Sequence, residues 1–167
     1  MLINGTLMDR VDTCLIAIRR ILRATELYGR ELKQTSGITA VQFRVLQIIS
    51  ERSHATAKEI SVRMRVSQAT VTSLVDKLVR QGMVVREKSE QDRRQTNIHI
   101  TPKGRQTLDE APDPLQQRFV RKFDAMEDWE QSMLVSSLER VAAMLDAEDL
   151  DASPVLDTGE FKRTLDH

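Results

Sequence analysis

Residues 67–105 read SQATVTSLVDKLVRQGMVVREKSEQDRRQTNIHITPKGR, and near the middle their hydrophobic period changes from 3.6 to 2. In the first third, Val71, Leu74, Val75 and Leu78 recur at helical spacing behind Ser67, a good N-cap, and Gly82 suits the left-handed conformation beyond a helix end. Residues 83–86 are short and apolar, and 95–101 alternate Thr96, Ile98 and Ile100 with Asn97 and His99, so each stretch reads as a strand with one buried face. The polar connection 87–94 makes the pair a β-hairpin with a long, charged tip. Thr101 followed by Pro102 supplies an N-cap and a proline at the first helical position, which restarts helix at Lys103.

Upstream, Thr56 with Glu59 forms a capping box that opens a short helix with Ile60 and Met64 facing inward, broken at Arg65 and Val66. Thr39 with Gln42 forms another, starting a helix through Phe43, Leu46, Ile48 and Ile49. Before it, Val11, Cys14, Leu15, Ile18, Ile21, Leu22, Tyr28 and Leu32 mark a long amphipathic helix that Gly37 stops. Downstream, Pro112 and Pro114 must interrupt helix, which resumes near Leu115 and runs to about Ala125. A last helix from about Asp128 carries Leu134, Leu138, Val141 and Leu145. The acidic remainder reads as a tail in which Val155, Leu156, Phe161 and Leu165 are available to pack. The spacing therefore predicts a mainly α fold: a winged helix-turn-helix with a two-stranded β wing, flanked by N- and C-terminal dimerisation helices. The expected segments are 1–36 for the first dimerisation helix, 37–105 for the winged helix-turn-helix, 106–148 for the C-terminal dimerisation helices and 149–167 for the tail.

The whole chain has 167 residues, 40% of them hydrophobic, with 25 basic and 25 acidic side chains. That zero balance hides an asymmetry of +3 over residues 1–57, +6 over 58–105 and −9 over 106–167. A basic centre with an acidic remainder points to a polyanion partner for the central block. One cysteine excludes an internal disulfide, and three histidines without metal-ligand spacing give no metal site or cofactor. No apolar run reaches the roughly 20 residues of a membrane helix, and no signal peptide opens the chain, so a cytoplasmic protein without membrane contact is expected. Strained serine turns, phosphate-cradling glycine loops and HExxH motifs are missing, which argues against an enzyme.

In a helix-turn-helix the second helix enters the DNA major groove. Opposite its apolar stripe, this one presents Gln68, Thr70, Ser73 and Lys77, with Ser67 at its start. Gln pairs bidentately with adenine, Ser and Thr read bases or bond phosphates, and Lys77 suits backbone phosphate. The bland alternative is an ordinary polar helix face. At the hairpin tip Arg93 and Arg94 suit the negative potential of a narrow minor groove, and Asp92 beside them is placed to pin one guanidinium. Its bland alternative is a solvated loop whose ion pairs contribute little.

On the residues from Ile60 to Arg105, the sequence resembles the winged helix-turn-helix of MarR-type transcriptional regulators. The most specific matches are Leu78 with Gly82, Asp92-Arg93-Arg94 at the wing, and Ile100-Thr101-Pro102-Lys103-Gly104 leading out of it. With GITAVQFRVLQII upstream, the resemblance spans roughly Ile16 to Leu145. It implies a homodimer held by its terminal helices and bound to a pseudo-palindromic double-stranded DNA operator. By position, Gln68, Thr70 and Ser73 match base-facing sites, Arg93 or Arg94 matches the wing arginine, and Asp92 its brace. A small-molecule effector that releases a repressor from DNA is also implied; Arg23, Tyr28 and His54 are candidate lining, each set against a satisfied surface or core role, so the effector site is left unassigned. The sequence departs from the family's pattern at Pro112 and Pro114 and in its longer acidic tail. Two alternatives remain. Cys14 is read as a small buried hydrophobe, against a redox-sensing role that a peroxide-sensing branch of the family suggests. The winged helix as a protein-interaction module is the other, opposed by the polar recognition face and the basic centre.

Overall fold

A computed structural model describes residues 3–150, 152 and 154–156, with side chains described from residue 9 onward. The elements in chain order are α1 (Ile3–Ser36), α2 (Ala40–Ser50), α3 (Ala57–Met64), α4 (Gln68–Arg80), β1 (Val84–Lys88), β2 (Thr96–Ile100), α5 (Pro102–Glu110), α6 (Leu115–Asp124) and α7 (Asp128–Met144).

Both capping boxes form. Thr39 Oγ1 accepts the Gln42 N–H at 3.3 Å while the Gln42 side chain accepts the Thr39 N–H at 2.9 Å. Thr56 and Glu59 repeat the exchange at 3.2 and 2.8 Å. The Thr56 N–H is also the main reason that the Glu59 carboxyl is held below its ordinary value. Between α3 and α4 the chain turns at Arg65, which takes the left-handed conformation (φ 52°). Ser67 then caps α4 by accepting the Thr70 N–H at 3.1 Å.

Strands β1 and β2 are antiparallel, running from Val84 opposite Ile100 to Lys88 opposite Thr96. The first strand therefore reaches two residues further toward the tip than 83–86, and the tip itself is 89–95. Of the expected inward-facing row only Ile98 is fully buried; Ile100 is half-buried, and Thr96 is exposed because it lies toward the tip, beyond the core. A third partner escaped the sequence pattern. Ala55 donates to the Ile98 carbonyl at 3.0 Å and accepts the Ile98 N–H at 2.8 Å, so β2 is flanked on both edges. One bridging residue has no periodicity to read.

The junction after the hairpin is tied to the end of α4. Gly82 (φ 71°) ends that helix as expected. Thr101 donates its hydroxyl to the Gly82 carbonyl at 2.7 Å, and the Lys103 ammonium reaches the Gln81 carbonyl at 2.7 Å, complementing the helix C-terminus. At Gly104 a Cβ would sit 2.2 Å from the Met83 carbonyl oxygen, so backbone contact there requires glycine.

Among the described residues every buried hydrophobic side chain falls between Tyr28 and Ile98. Val71, Val75 and Leu78 are sealed into this core; Leu74, expected there too, is half-buried at its edge. The helix break at the prolines follows expectation, with Ala111 extended before α6 resumes at Leu115. By contrast α6 and α7 bury no residue, and Val11, Leu15, Ile21 and Leu22 of α1 stay about half exposed. Cys14 shares that face and is exposed, not a buried packing residue, because among the described residues nothing covers the first two-thirds of α1. In the tail, Val155 packs against the core edge, whereas Phe161 and Leu165 lie outside the described residues.

Candidate nucleic-acid interface

Helix α4 exposes Gln68, Ser73 and Lys77 on the side away from its buried stripe. Thr70 is half-buried, and its hydroxyl lies 2.9 Å from that of Ser67. These two side chains are engaged with each other at the cap, so of the five positions singled out in the sequence on α4 and its N-cap, three present uncommitted polar groups to solvent.

The wing tip is shaped by backbone bonds. Ser89 N–H donates to the Gln95 carbonyl and Gln95 N–H to the Asp92 carbonyl, both at 2.9 Å. Asp92 directs its carboxylate to the Arg94 backbone N–H at 2.9 Å. The expected bracing of a guanidinium is thus replaced by bracing of the main chain. A seven-residue tip has N–H groups that no ladder partner satisfies, and an aspartate two residues upstream is the local acceptor. Arg93 and Arg94 are both exposed, and neither guanidinium has an ion-pair partner among the described residues.

One link in this region was not legible in the sequence. Arg86 lies on β1 and folds back onto α4. Its Nη1 donates to Asp76 at 2.5 Å, and its Nη2 reaches the Thr72 carbonyl at 3.4 Å. An exposed pair of this kind adds little to folding, about 0.2–1 kcal/mol, but it fixes the wing against the recognition helix. Two opposite charges ten residues apart give no pattern until the register of the hairpin is known.

The residues suggested as effector lining do not converge. Arg23 pairs with Glu26 at 2.9 Å on the exposed face of α1, and the His54 ring lies tilted by 39° beside that of His99, centroids 5.5 Å apart, at the root of the wing. Tyr28 alone borders a cleft of about 310 Å³ between α1, α2 and α6, together with Phe43, Arg44, Gln47, Val120 and Arg121. Burial pulls the Arg44 guanidinium below its ordinary value, and its nearest carboxylate, Glu51, is 4.0 Å away and is shared with Arg63 at 2.5 Å.

This geometry has known counterparts. The MarR family model matches residues 36–95. The HTH-type transcriptional regulator YsmB of Bacillus subtilis is 30% identical over 125 residues, covering 75% of this chain and 86% of YsmB. Among solved structures, the transcriptional regulator BldR from Sulfolobus solfataricus aligns over 82% of this chain and 97% of its own, with a TM-score of 0.53 and 28% identity. The M. tuberculosis transcriptional regulator MosR, solved in complex with DNA, aligns over 79% and 96%, with a TM-score of 0.53 and 26% identity. A helix-turn-helix whose second helix is pinned to its own hairpin, matched over most of the chain by regulators of one kind, places this chain in the MarR family, as a transcriptional regulator and not an enzyme.

Proposed function

We propose that the protein is a cytoplasmic homodimer that binds a pseudo-palindromic operator in double-stranded DNA and acts as a repressor released by a small-molecule effector. The observation that carries this reading is the juxtaposition of two unspent sets of groups: Gln68, Ser73 and Lys77 on α4, and the unpaired Arg93 and Arg94 at the wing. Held together by the Arg86–Asp76 link, they match a major groove and the minor groove beside it. Ser67 and Thr70 act there through the helix N-terminus, whose N–H groups suit a phosphate.

Support for the dimer comes from the uncovered apolar face of α1 and from Phe119, Trp129, Met133 and Leu138 on α6 and α7, a surface too extensive for a solitary chain. A twofold axis through these helices presents two copies of α4 about one DNA turn, roughly 34 Å, apart. Support for the effector comes from the cleft, whose aromatic walls and loosely paired Arg44 suit an amphipathic organic anion. A ligand bridging α2 and α6 shifts the winged helix relative to the dimerisation helices and so changes that spacing.

The test is selection of duplexes from a random pool, followed by anisotropy titration at several salt concentrations. An inverted repeat with half-site centres about 10 base pairs apart is expected, and a log–log salt slope corresponding to roughly 6 to 10 phosphates across the dimer. No enrichment, or affinity that ignores salt, overturns the proposal.

A further inference from the structure

We propose that Val155 and Leu156 of the C-terminal tail form one wall of the cleft between α2 and α6 and determine which molecules fit it. The inference rests on the reading of that cleft as a ligand site.

The tail is brought there by the chain's own geometry. After α7, Asp146 takes the left-handed conformation (φ 52°), and the Ala147 N–H bonds back to the Ala142 carbonyl at 2.9 Å, so the helix is closed off and the chain turns away from its axis. The segment that follows is polar and acidic, with Glu148, Asp149, Asp151 and Asp157, and holds one adjacent apolar pair, Val155 and Leu156, directly after Pro154. Both of those residues line the cleft, and Val155 is half-buried against the core. Among the described residues these two side chains border the cleft without filling it, leaving about 310 Å³. A tail that merely covered the core would leave no such space, and a plug would occupy it.

The chemistry of the wall follows. Tyr28, Phe43 and Val120 supply apolar surface on the protein body, and Arg44 supplies the charge that holds an anionic head group. The tail adds aliphatic surface on a further side, which only a ligand with an extended apolar body reaches. Size selection among organic anions therefore resides in two residues far outside the winged helix.

The probes are benzoate and 2-naphthoate, which share a carboxylate and differ by one ring. They are titrated calorimetrically into the unsubstituted protein, into V155A/L156A and into V155F, with helicity and melting temperature followed for each. The unsubstituted protein should prefer 2-naphthoate. The alanine pair should lose that preference by about ten-fold, through weaker binding of the larger probe with benzoate little changed. V155F should exclude 2-naphthoate more than benzoate. Equal loss for both probes, or no change, makes the tail a packing element and overturns the inference. Tighter binding of both on removal of the side chains makes it a plug and overturns it too, as does failure of either probe to bind any form. Failure of the underlying reading is separable. Probe binding that depends on Val155 and Leu156 but leaves DNA affinity untouched removes the effector function and keeps the wall. DNA release equal in all three proteins keeps the effector and removes the wall.

Discussion

At the wing tip, the partner of Asp92 is the Arg94 backbone N–H, which reverses what a substitution there does. Asp92→Ala removes the acceptor that shapes the turn, so operator affinity should fall by roughly 0.5–1.5 kcal/mol even though a negative charge beside DNA is deleted. Asp92→Asn keeps an acceptor oxygen, and in anisotropy titrations it should bind as well as the wild type or better. Equal weakening of both variants implicates the charge and refutes the turn-shaping role. Arg93→Ala and Arg94→Ala should each weaken binding, with roughly 1–3 kcal/mol per half-site lost at the one that enters the groove. If neither substitution changes affinity, the wing does not touch DNA. The residue types at this tip were legible in the sequence; the atoms were not. Choosing between a guanidinium and a main-chain N–H requires the turn's backbone path, and the strand before it runs two residues longer than its apolar run suggests.

Among the elements, helices were read most faithfully, because caps act on neighbours three residues away and leave a local signature. Thr39 with Gln42, Thr56 with Glu59, and Thr101 with Pro102 each form as spaced. The half-exposed Leu74 and the Ala55 bridge were missed, since both depend on where the hairpin docks. The α3 capping box also titrates. Glu59 has a folded-state value below its ordinary 4.5, mainly through the Thr56 N–H. Its contribution is therefore complete above about pH 4.5 and lost as the pH falls through the lowered folded value. Thermal melts between pH 6 and 3 should show Glu59→Gln, which retains the acceptor without the titration, losing less stability on acidification than the wild type. Parallel pH profiles for the two proteins count against this assignment.

On the scale of the whole molecule, the buried core ends where the terminal helices begin to expose their apolar stripes. Leu138→Asp should place two carboxylates at the proposed dimer axis, and sedimentation should then show loss of the dimer together with reduced helicity from α1 and α7. A wild-type protein that sediments as a folded monomer at micromolar concentration overturns the assembly itself. This part of the structure was visible in the sequence only as surplus: stripes with more apolar surface than one small core can cover. The same separation sorts mutations into two genetic classes. On the proposed dimer, a chain damaged only at Arg93 or Arg94 should still pair with a healthy copy and spoil its grip on the operator, so such alleles are expected to behave as dominant. A chain damaged at Leu78 or Gly104 should lose the folded body and be withdrawn before it pairs, so those alleles are expected to be recessive. In a cell carrying both gene copies, the position of a substitution along the chain thus decides whether it is masked or expressed.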